Sequence, residues 1–251
     1  MQFIVVVVAV APVRKEASHR SEIVTELLFG ETAKVIETVK DFIKIQCTYD
    51  GYEGWIQTNQ TTETDESFIQ IKPLGYTYRR NSTALFAGTQ TYLSVATPVF
   101  DRTNFGKYSV EYQEEDYITF EQLFFEDEVI KMVVLLYENV PYLWGGKSSF
   151  GIDCSGFTQL VFKMFNKYLQ RDAYQQALQG EVIGFLQEAK CGDLAFFDNE
   201  EGRIVHVGIM LSNEDIIHAS GRVRIDKIDN QGIINSDTGQ RTHRLRVIKR
   251  V

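Results

Sequence analysis

Three residues combine types and spacing suited to nucleophilic chemistry: Cys154, His206 and His218. Cys154 stands in Asp153-Cys154-Ser155-Gly156, at the start of the best amphipathic stretch in the chain. Apolar residues follow at Phe157, Leu160, Val161, Met164, Phe165, Tyr168 and Leu169, which predicts a helix buried along one side. Gly145, Gly146 and Gly151 break the chain just before it, and Asp153 or Ser155 can cap its first turn. A thiol at that position faces free N–H groups and the positive end of the macrodipole. Its pKa is therefore expected to fall, leaving part of it as thiolate near neutral pH.

His206 lies in Val205–Leu211, which alternates with period two. Val205, Val207, Ile209 and Leu211 take one face, and His206, Gly208 and Met210 the other. Gly208 leaves space for something to approach the imidazole. A turn at 212–215 leads into Ile216-Ile217-His218-Ala219-Ser220, and a hairpin there brings His218 beside His206. Such a set can serve as nucleophile, base and orienter. His206 takes the thiol proton and later protonates the leaving amine, while His218 hydrogen-bonds its far nitrogen and fixes the tautomer. One histidine on a strand is more often a satisfied core residue than a catalyst; two of them after a helix-capping cysteine are not. His19 in a polar loop and His243 among basic residues near the C-terminus are read as structural. So are Cys47, in an apolar strand, and Cys191, before a turn.

Around these residues lies a chain of 251 residues, long enough for one large domain or two to three smaller ones. A formal charge of −8 argues against binding nucleic acid through phosphates, and against electrostatic adhesion to anionic wall polymers or membranes. Three cysteines without a C-x-x-C pair indicate neither a disulfide framework nor a zinc site, and a reducing compartment fits best. Phe3–Ala11 is apolar and ends in Ala9-Val10-Ala11, like a signal-peptidase site. No Lys or Arg precedes it and its β-branched content suits a buried strand, so a strand is expected there, with Pro12-Val13-Arg14 passing into a polar loop.

The first third reads as short strands between tight turns: residues 3–11, 22–29, 33–39, 42–47 and 51–56. Residues 58–67 are polar and read as a linker, and a second β-rich stretch follows from about 68 to 120. Residues 121–138 turn helical, with Val129, Ile130, Val133, Leu136 and Tyr137 on one face.

Residues 21–31, followed by Gly51-Tyr52-Glu53-Gly54-Trp55-Ile56, resemble a bacterial SH3-like domain. Farther on stand Pro141-Tyr142-x-Trp144-Gly145-Gly146, Asp153-Cys154-Ser155-Gly156-Phe157, Gly192-Asp193-Leu194-x-Phe196-Phe197, His206-Val207-Gly208-Ile209 and Ile217-His218-Ala219. Together they resemble the NlpC-type, papain-like cysteine peptidases of bacterial cell-wall metabolism. The resemblance implies an α+β papain-like peptidase domain over residues 123–251. Two small all-β SH3-like barrels would precede it, at 1–60 and, more divergent, at 66–122. It implies Cys154, His206 and His218 as catalytic residues, with the Cys154 N–H and the Tyr142 hydroxyl at the oxyanion. No metal and no organic cofactor is implied, because thiolate chemistry requires neither.

The whole layout is similar to the γ-D-glutamyl-L-diamino acid endopeptidases that recycle wall peptides. These cut after D-Glu in L-Ala-γ-D-Glu-L-diamino acid bearing a free N-terminal L-Ala. The resemblance implies that Glu22, Tyr52 and Asp172 close around the free amine, with Glu26, one strand turn away, as the other candidate for the acid. Trp144, Asp153 and Ser155 would line the peptide's path, although Trp144 can equally plug the core and Asp153 can equally be only an N-cap. Ala173 stands where the group carries serine after Arg-Asp, and Cys191 where it carries proline. The expectation is a monomeric cytoplasmic peptidase whose partners are short, released murein peptides. A secreted or periplasmic wall hydrolase anchored by its SH3-like domains, and a non-catalytic murein-peptide binder, are the competing readings. Lysine and diaminopimelate at the third substrate position have no distinguishing motif.

Overall fold

Alternating apolar and polar residues build most of this chain into antiparallel sheets, and one run of helical periodicity supplies its central helix. The computed structural model describes residues 2–101 and 104–251. It divides into two compact units: Met1–Gln122 with Trp144–Phe150, and Leu123–Leu143 with Gly151–Val251.

In the N-terminal unit the strands Phe3–Val6, Val10–Arg14, Ile23–Leu28, Thr32–Val39, Phe42–Cys47, Glu53–Gln57 and Thr61–Thr64 form one seven-stranded antiparallel sheet. Inward residues such as Val6, Ala11, Val13, Leu27, Ile45 and Ile56 make its core. Two expectations change here. Pro12-Val13-Arg14 is strand rather than loop, with Pro12 opposite Glu26. On its other side that strand pairs only through Arg14 to Trp55, so the N–H that Pro12 lacks leaves no ladder bond unmade. Nor are residues 58–67 a linker: Thr61–Thr64 pairs with Phe3–Val6, and Asp65 caps the short helix Glu66–Ile69 by accepting from the Phe68 N–H at 2.9 Å.

Strands within residues 75–99 and 104–119 form a four-stranded and a three-stranded antiparallel sheet. Phe68, Phe100 and Phe105 pack with Val5 and Phe29 from the first stretch, and the Phe29 and Phe105 rings lie 5.1 Å apart. Each such aromatic, once buried, contributes roughly 2–3 kcal/mol relative to leaving it in water. The two β-rich stretches, expected as separate barrels, therefore share apolar packing within one unit.

In the C-terminal unit the strand order is Glu181–Ile183, Arg241–Arg250, Leu194–Asp198, Ile204–Met210, Asp215–Ser220, Arg222–Asp229, Gly232–Ile234. The last of these also pairs with Arg241–Arg250, so six strands close into a ring. Closure brings backbones so near at Gly232 (φ +141°) that a Cβ there would sit 1.7 Å from the His243 carbonyl oxygen; glycine is the residue that fits. The helix Cys154–Met164 packs against the Ile204–Met210 and Asp215–Ser220 strands. It is buried all round, not along one side, and ends at Met164, leaving Tyr168 and Leu169 beyond it. Two of its polar side chains bond inside the unit: Thr158 Oγ1 donates to Gln176 Oε1 at 2.7 Å, and Gln159 Nε2 to the Leu169 carbonyl at 3.1 Å. The helix Asp127–Leu135 buries Ile130, Val133 and Val134. Among the described residues no helix is long and apolar enough to cross a membrane.

Candidate active site

The cysteine is presented by a capped helix start. Asp153 has extended backbone, and its Oδ1 accepts from the Gly156 N–H at 2.7 Å, which starts the helix at Cys154. Arg171, only 1% exposed, grips the same carboxylate with both nitrogens: Nη1 to Oδ1 at 3.0 Å and Nη2 to Oδ2 at 2.7 Å. Arg171 Nη1 also donates to Ser155 Oγ at 3.0 Å. Of the two roles open to Asp153, the structure shows the cap, anchored by a buried bidentate ion pair. Ser155 is buried in the same network.

Cys154 is 7% exposed, and the Val207 N–H hydrogen-bonds its sulfur, so the thiol lies against the residue that follows His206. Here the structure corrects an expectation. Burial, reinforced by the Asp153 charge, pushes the thiol up to about 12; the Val207 N–H, Arg171 and the Ser155 N–H offset this only in part. His206 moves the opposite way, well below the ordinary imidazole value, through burial and then the neighbouring His218 and His243. Burial thus moves the thiol and the imidazole each toward its neutral form, because desolvation outweighs the helix end.

The hairpin pairs Gly208 with His218, which puts His206 and His218 on one face of adjacent strands. His206 Nε2 and His218 Nδ1 are 2.8 Å apart, the imidazole–imidazole hydrogen bond expected of a base and its orienter. The space beside Gly208 is taken by His218 itself: a Cβ at 208 would meet His218 Cβ at 2.9 Å. His218 Nε2 in turn lies 3.0 Å from Asp226 Oδ2 on the next strand. Burial pushes the Asp226 carboxyl up, but hydrogen bonds from His218, the Ser236 N–H and Arg224 prevail and hold it well below the usual carboxylate range.

His243, read from sequence as structural, stacks on His206 with centroids 4.1 Å apart and planes 24° from parallel. Burial, then the adjacent His218, lowers it to about 4. One ring nitrogen from each of the three histidines lies within 4.8 Å of the others. Nitrogens sharing a tetrahedral zinc at about 2.0–2.1 Å sit roughly 3.3 Å apart. The 2.8 Å pair is at hydrogen-bond separation, and the near-parallel His243 ring cannot aim its lone pair at a point in the His206 plane. The cluster is built as a hydrogen-bonded and stacked set.

Tyr142 is half-buried; its N–H donates to the Gly221 carbonyl at 3.0 Å. Burial and the nearby Cys154 and Asp153 push its hydroxyl up to about 12, so it stays a donor. Asp172 caps the short helix Ala173–Gln176, and its N–H donates to Gln175 Oε1 at 3.2 Å. In the N-terminal unit, Trp144 is 64% exposed and donates from Nε1 to Glu22 Oε1 at 2.8 Å. The plug role is thereby removed for Trp144. Glu26 is buried and accepts from the Lys147 N–H at 2.7 Å, so Glu22 is the acid that remains at the surface. Tyr52 is half-buried against the sheet core.

Sequence reasoning did not identify Asp226, His243 or Arg171 as parts of this arrangement. Asp226 alternates onto the His218 side of its strand, which is a readable signal once that pairing is known; for His243 the signal exists only in the ring closure.

Comparison with known proteins agrees with this geometry. Residues 139–242 match the NlpC/P60 family, and residues 13–60 the bacterial dipeptidyl-peptidase SH3 domain. The chain is 32% identical over 214 residues to a gamma-D-glutamyl-L-lysine dipeptidyl-peptidase of Bacillus subtilis, covering 78% of this chain and 71% of that one. It is 25% identical over 260 residues to dipeptidyl-peptidase 6 of Lysinibacillus sphaericus, covering 90% and 92%. A solved NlpC/P60 family protein from Bacillus cereus shares the fold, with a TM-score of 0.84 at 17% identity over 99% of both chains. By sequence match, relatives and fold, the chain belongs to the NlpC/P60 family of peptidases, carrying an SH3 domain of the bacterial dipeptidyl-peptidase type.

Proposed function

We propose that this chain is a cysteine endopeptidase that hydrolyses the γ-D-Glu–L-diamino acid bond of short murein peptides with a free N-terminal L-Ala. The observation that carries the reading is the Cys154 thiol at a capped helix start, beside a strand whose His206 is hydrogen-bonded to His218 at 2.8 Å. With His206 Nε2 engaged by His218, Nδ1 is left to accept the thiol proton as sulfur attacks the γ-carbonyl carbon of D-Glu. The Cys154 N–H and the Tyr142 hydroxyl receive the developing oxyanion. Collapse breaks the C–N bond, and His206 returns its proton to the leaving amine. Water, deprotonated by His206, then releases L-Ala-D-Glu from the thioester. Because the thiol is neutral at rest, proton transfer accompanies attack.

The free amine is read by Glu22, Tyr52 and Asp172, a carboxylate–phenol set suited to an ammonium. Glu22 is favoured over Glu26 because its carboxylate is exposed and oriented by Trp144. The relatives' names give lysine as the diamino acid. The absence of disulfides among three free cysteines and the charge of −8 support a cytoplasmic monomer acting on released peptides rather than on the wall.

The test is incubation with L-Ala-γ-D-Glu-L-Lys, its diaminopimelate analogue and an N-acetylated copy, followed by mass spectrometry. Release of L-Ala-D-Glu from the free peptides alone supports both chemistry and amine reading. Equal cleavage of the acetylated copy removes Glu22, Tyr52 and Asp172 from the amine-reading role. No cleavage with reduced Cys154 points to a binding protein.

A further inference from the structure

The histidine pair does not end at His218. On the neighbouring strand Arg222–Asp229, Asp226 lies opposite Ile216, one diagonal step from His218, and is 1% exposed. Its Oδ2 meets His218 Nε2 at 3.0 Å. Its Oδ1 accepts from Arg224 Nη2 at 2.9 Å and from the Ser236 N–H at 2.8 Å, and Arg224 Nη1 is held in turn by Asp237 Oδ2 at 2.8 Å. Both carboxylate oxygens are thus committed, and the group cannot rotate freely.

An ionised carboxylate only accepts hydrogen bonds, so His218 Nε2 carries a hydrogen. A neutral imidazole has one donor and one acceptor, which leaves His218 Nδ1 as the acceptor. Across 2.8 Å, His206 Nε2 must then donate, and His206 Nδ1 keeps its lone pair. One carboxylate sets the hydrogen on four ring nitrogens.

We propose that Asp226 is a positioning residue for the peptidase reaction: acting through His218, it holds His206 in the tautomer whose Nδ1 can accept the thiol proton. The proposal rests on the reading that Cys154 and His206 carry the chemistry. As His206 becomes imidazolium, the Asp226 charge one ring away also offsets the new positive charge. Asp226 touches no substrate and no reacting atom, and Arg224 and the Ser236 N–H serve it by keeping it ionised and oriented.

Asp226→Asn is the sharpest variant, because its amide can turn an N–H toward His218 Nε2. His218 would then donate from Nδ1, His206 would accept at Nε2, and the His206 Nδ1–H would face the sulfur. Hydrolysis of L-Ala-γ-D-Glu-L-Lys is expected to lose roughly 10- to 1000-fold in kcat with KM nearly unchanged, by analogy with carboxylates that orient a catalytic or ligating histidine. Asp226→Glu, which keeps the charge, should recover part of that loss.

Two further readouts separate this proposal from the reading beneath it. Nitrogen-15 side-chain spectra of the unmodified protein should show both His206 and His218 protonated at Nε2, independently of any activity. A His218 protonated at Nδ1 overturns the proposal even where Asp226→Asn fails to fold. The rate of Cys154 alkylation by iodoacetamide, which needs no peptide, should fall in Asp226→Asn and shift in its pH profile. If Cys154 reacts well in the unmodified protein and equally in folded Asp226→Asn, Asp226 is only structural and the proposal fails. If the unmodified protein forms no acyl-enzyme on Cys154 with L-Ala-γ-D-Glu-L-Lys, the peptidase reading itself fails and takes this proposal with it.

Discussion

Gly208 and His218 face each other across the hairpin, and the missing side chain of the one is filled by the other: a Cβ at 208 would lie 2.9 Å from His218 Cβ and 2.8 Å from Ile216 Cδ1. The Ile216 terminus can swing aside, but His218 Cβ is fixed by its strand. Gly208→Ala should therefore push His218 off its 2.8 Å bond to His206. The overpacking should cost about 1–3 kcal/mol in denaturant unfolding, while kcat should fall further than that loss of stability explains. Unchanged kcat in a folded Gly208→Ala protein would detach the His206–His218 bond from the chemistry.

The Arg171–Asp153 pair is buried and bidentate, so removing one partner strands a charge. Asp153→Ala and Arg171→Met should each cost roughly 3–5 kcal/mol, with the cap loss included in the first. The double variant should cost clearly less than the sum, as a thermodynamic cycle in urea would show. Additive costs would mean the ion pair is not coupled.

The neutral thiol makes an optical prediction. Absorbance near 240 nm, compared between the unmodified protein and Cys154→Ala, should show no thiolate step between about pH 5 and 9, because burial drives the thiol up to about 12. A step centred below 7 would mean a standing thiolate–imidazolium pair.

Buried neutral histidines also tie stability to pH. The unfolded imidazoles bind protons as pH falls through about 6.5, whereas His206 sits well below that in the fold and His243 titrates near 4. The stabilisation is fully present above about 6.5 and is lost as pH falls from there toward 4. Below about 4, the depressed Asp226 adds its own loss. His243→Gln should flatten the melting-temperature curve between pH 6.5 and 4. An unchanged slope would remove His243 from that linkage.

Much of this molecule was legible because local chemistry and global fold agree. Phe42–Cys47 has its predicted bounds, and the capped helix begins at Cys154 as the Asp153 signal requires. His218 pairs where the hairpin puts it. What was not legible depends on partners distant in sequence. Thr61–Thr64 is too polar to announce a strand and becomes one by pairing with Phe3–Val6. His243 reaches His206 only because the strand Arg241–Arg250 closes the ring. The shift of the Cys154 thiol follows from burial, which a helix-terminus argument does not count. Arg171 carries no local signal of its role, because its partner is eighteen residues away.

The central claim is that Cys154 is the nucleophile, and trapping its acyl-enzyme tests that directly. Protein mixed with L-Ala-γ-D-Glu-L-Lys and acid-quenched should gain the mass of L-Ala-γ-D-Glu as a thioester, mapped by peptide fragmentation to Cys154. Cys154→Ala should gain no such mass and should lose hydrolysis by on the order of 10⁴-fold or more. Adduct on Cys47 or Cys191, or hydrolysis persisting in folded Cys154→Ala, would contradict the account.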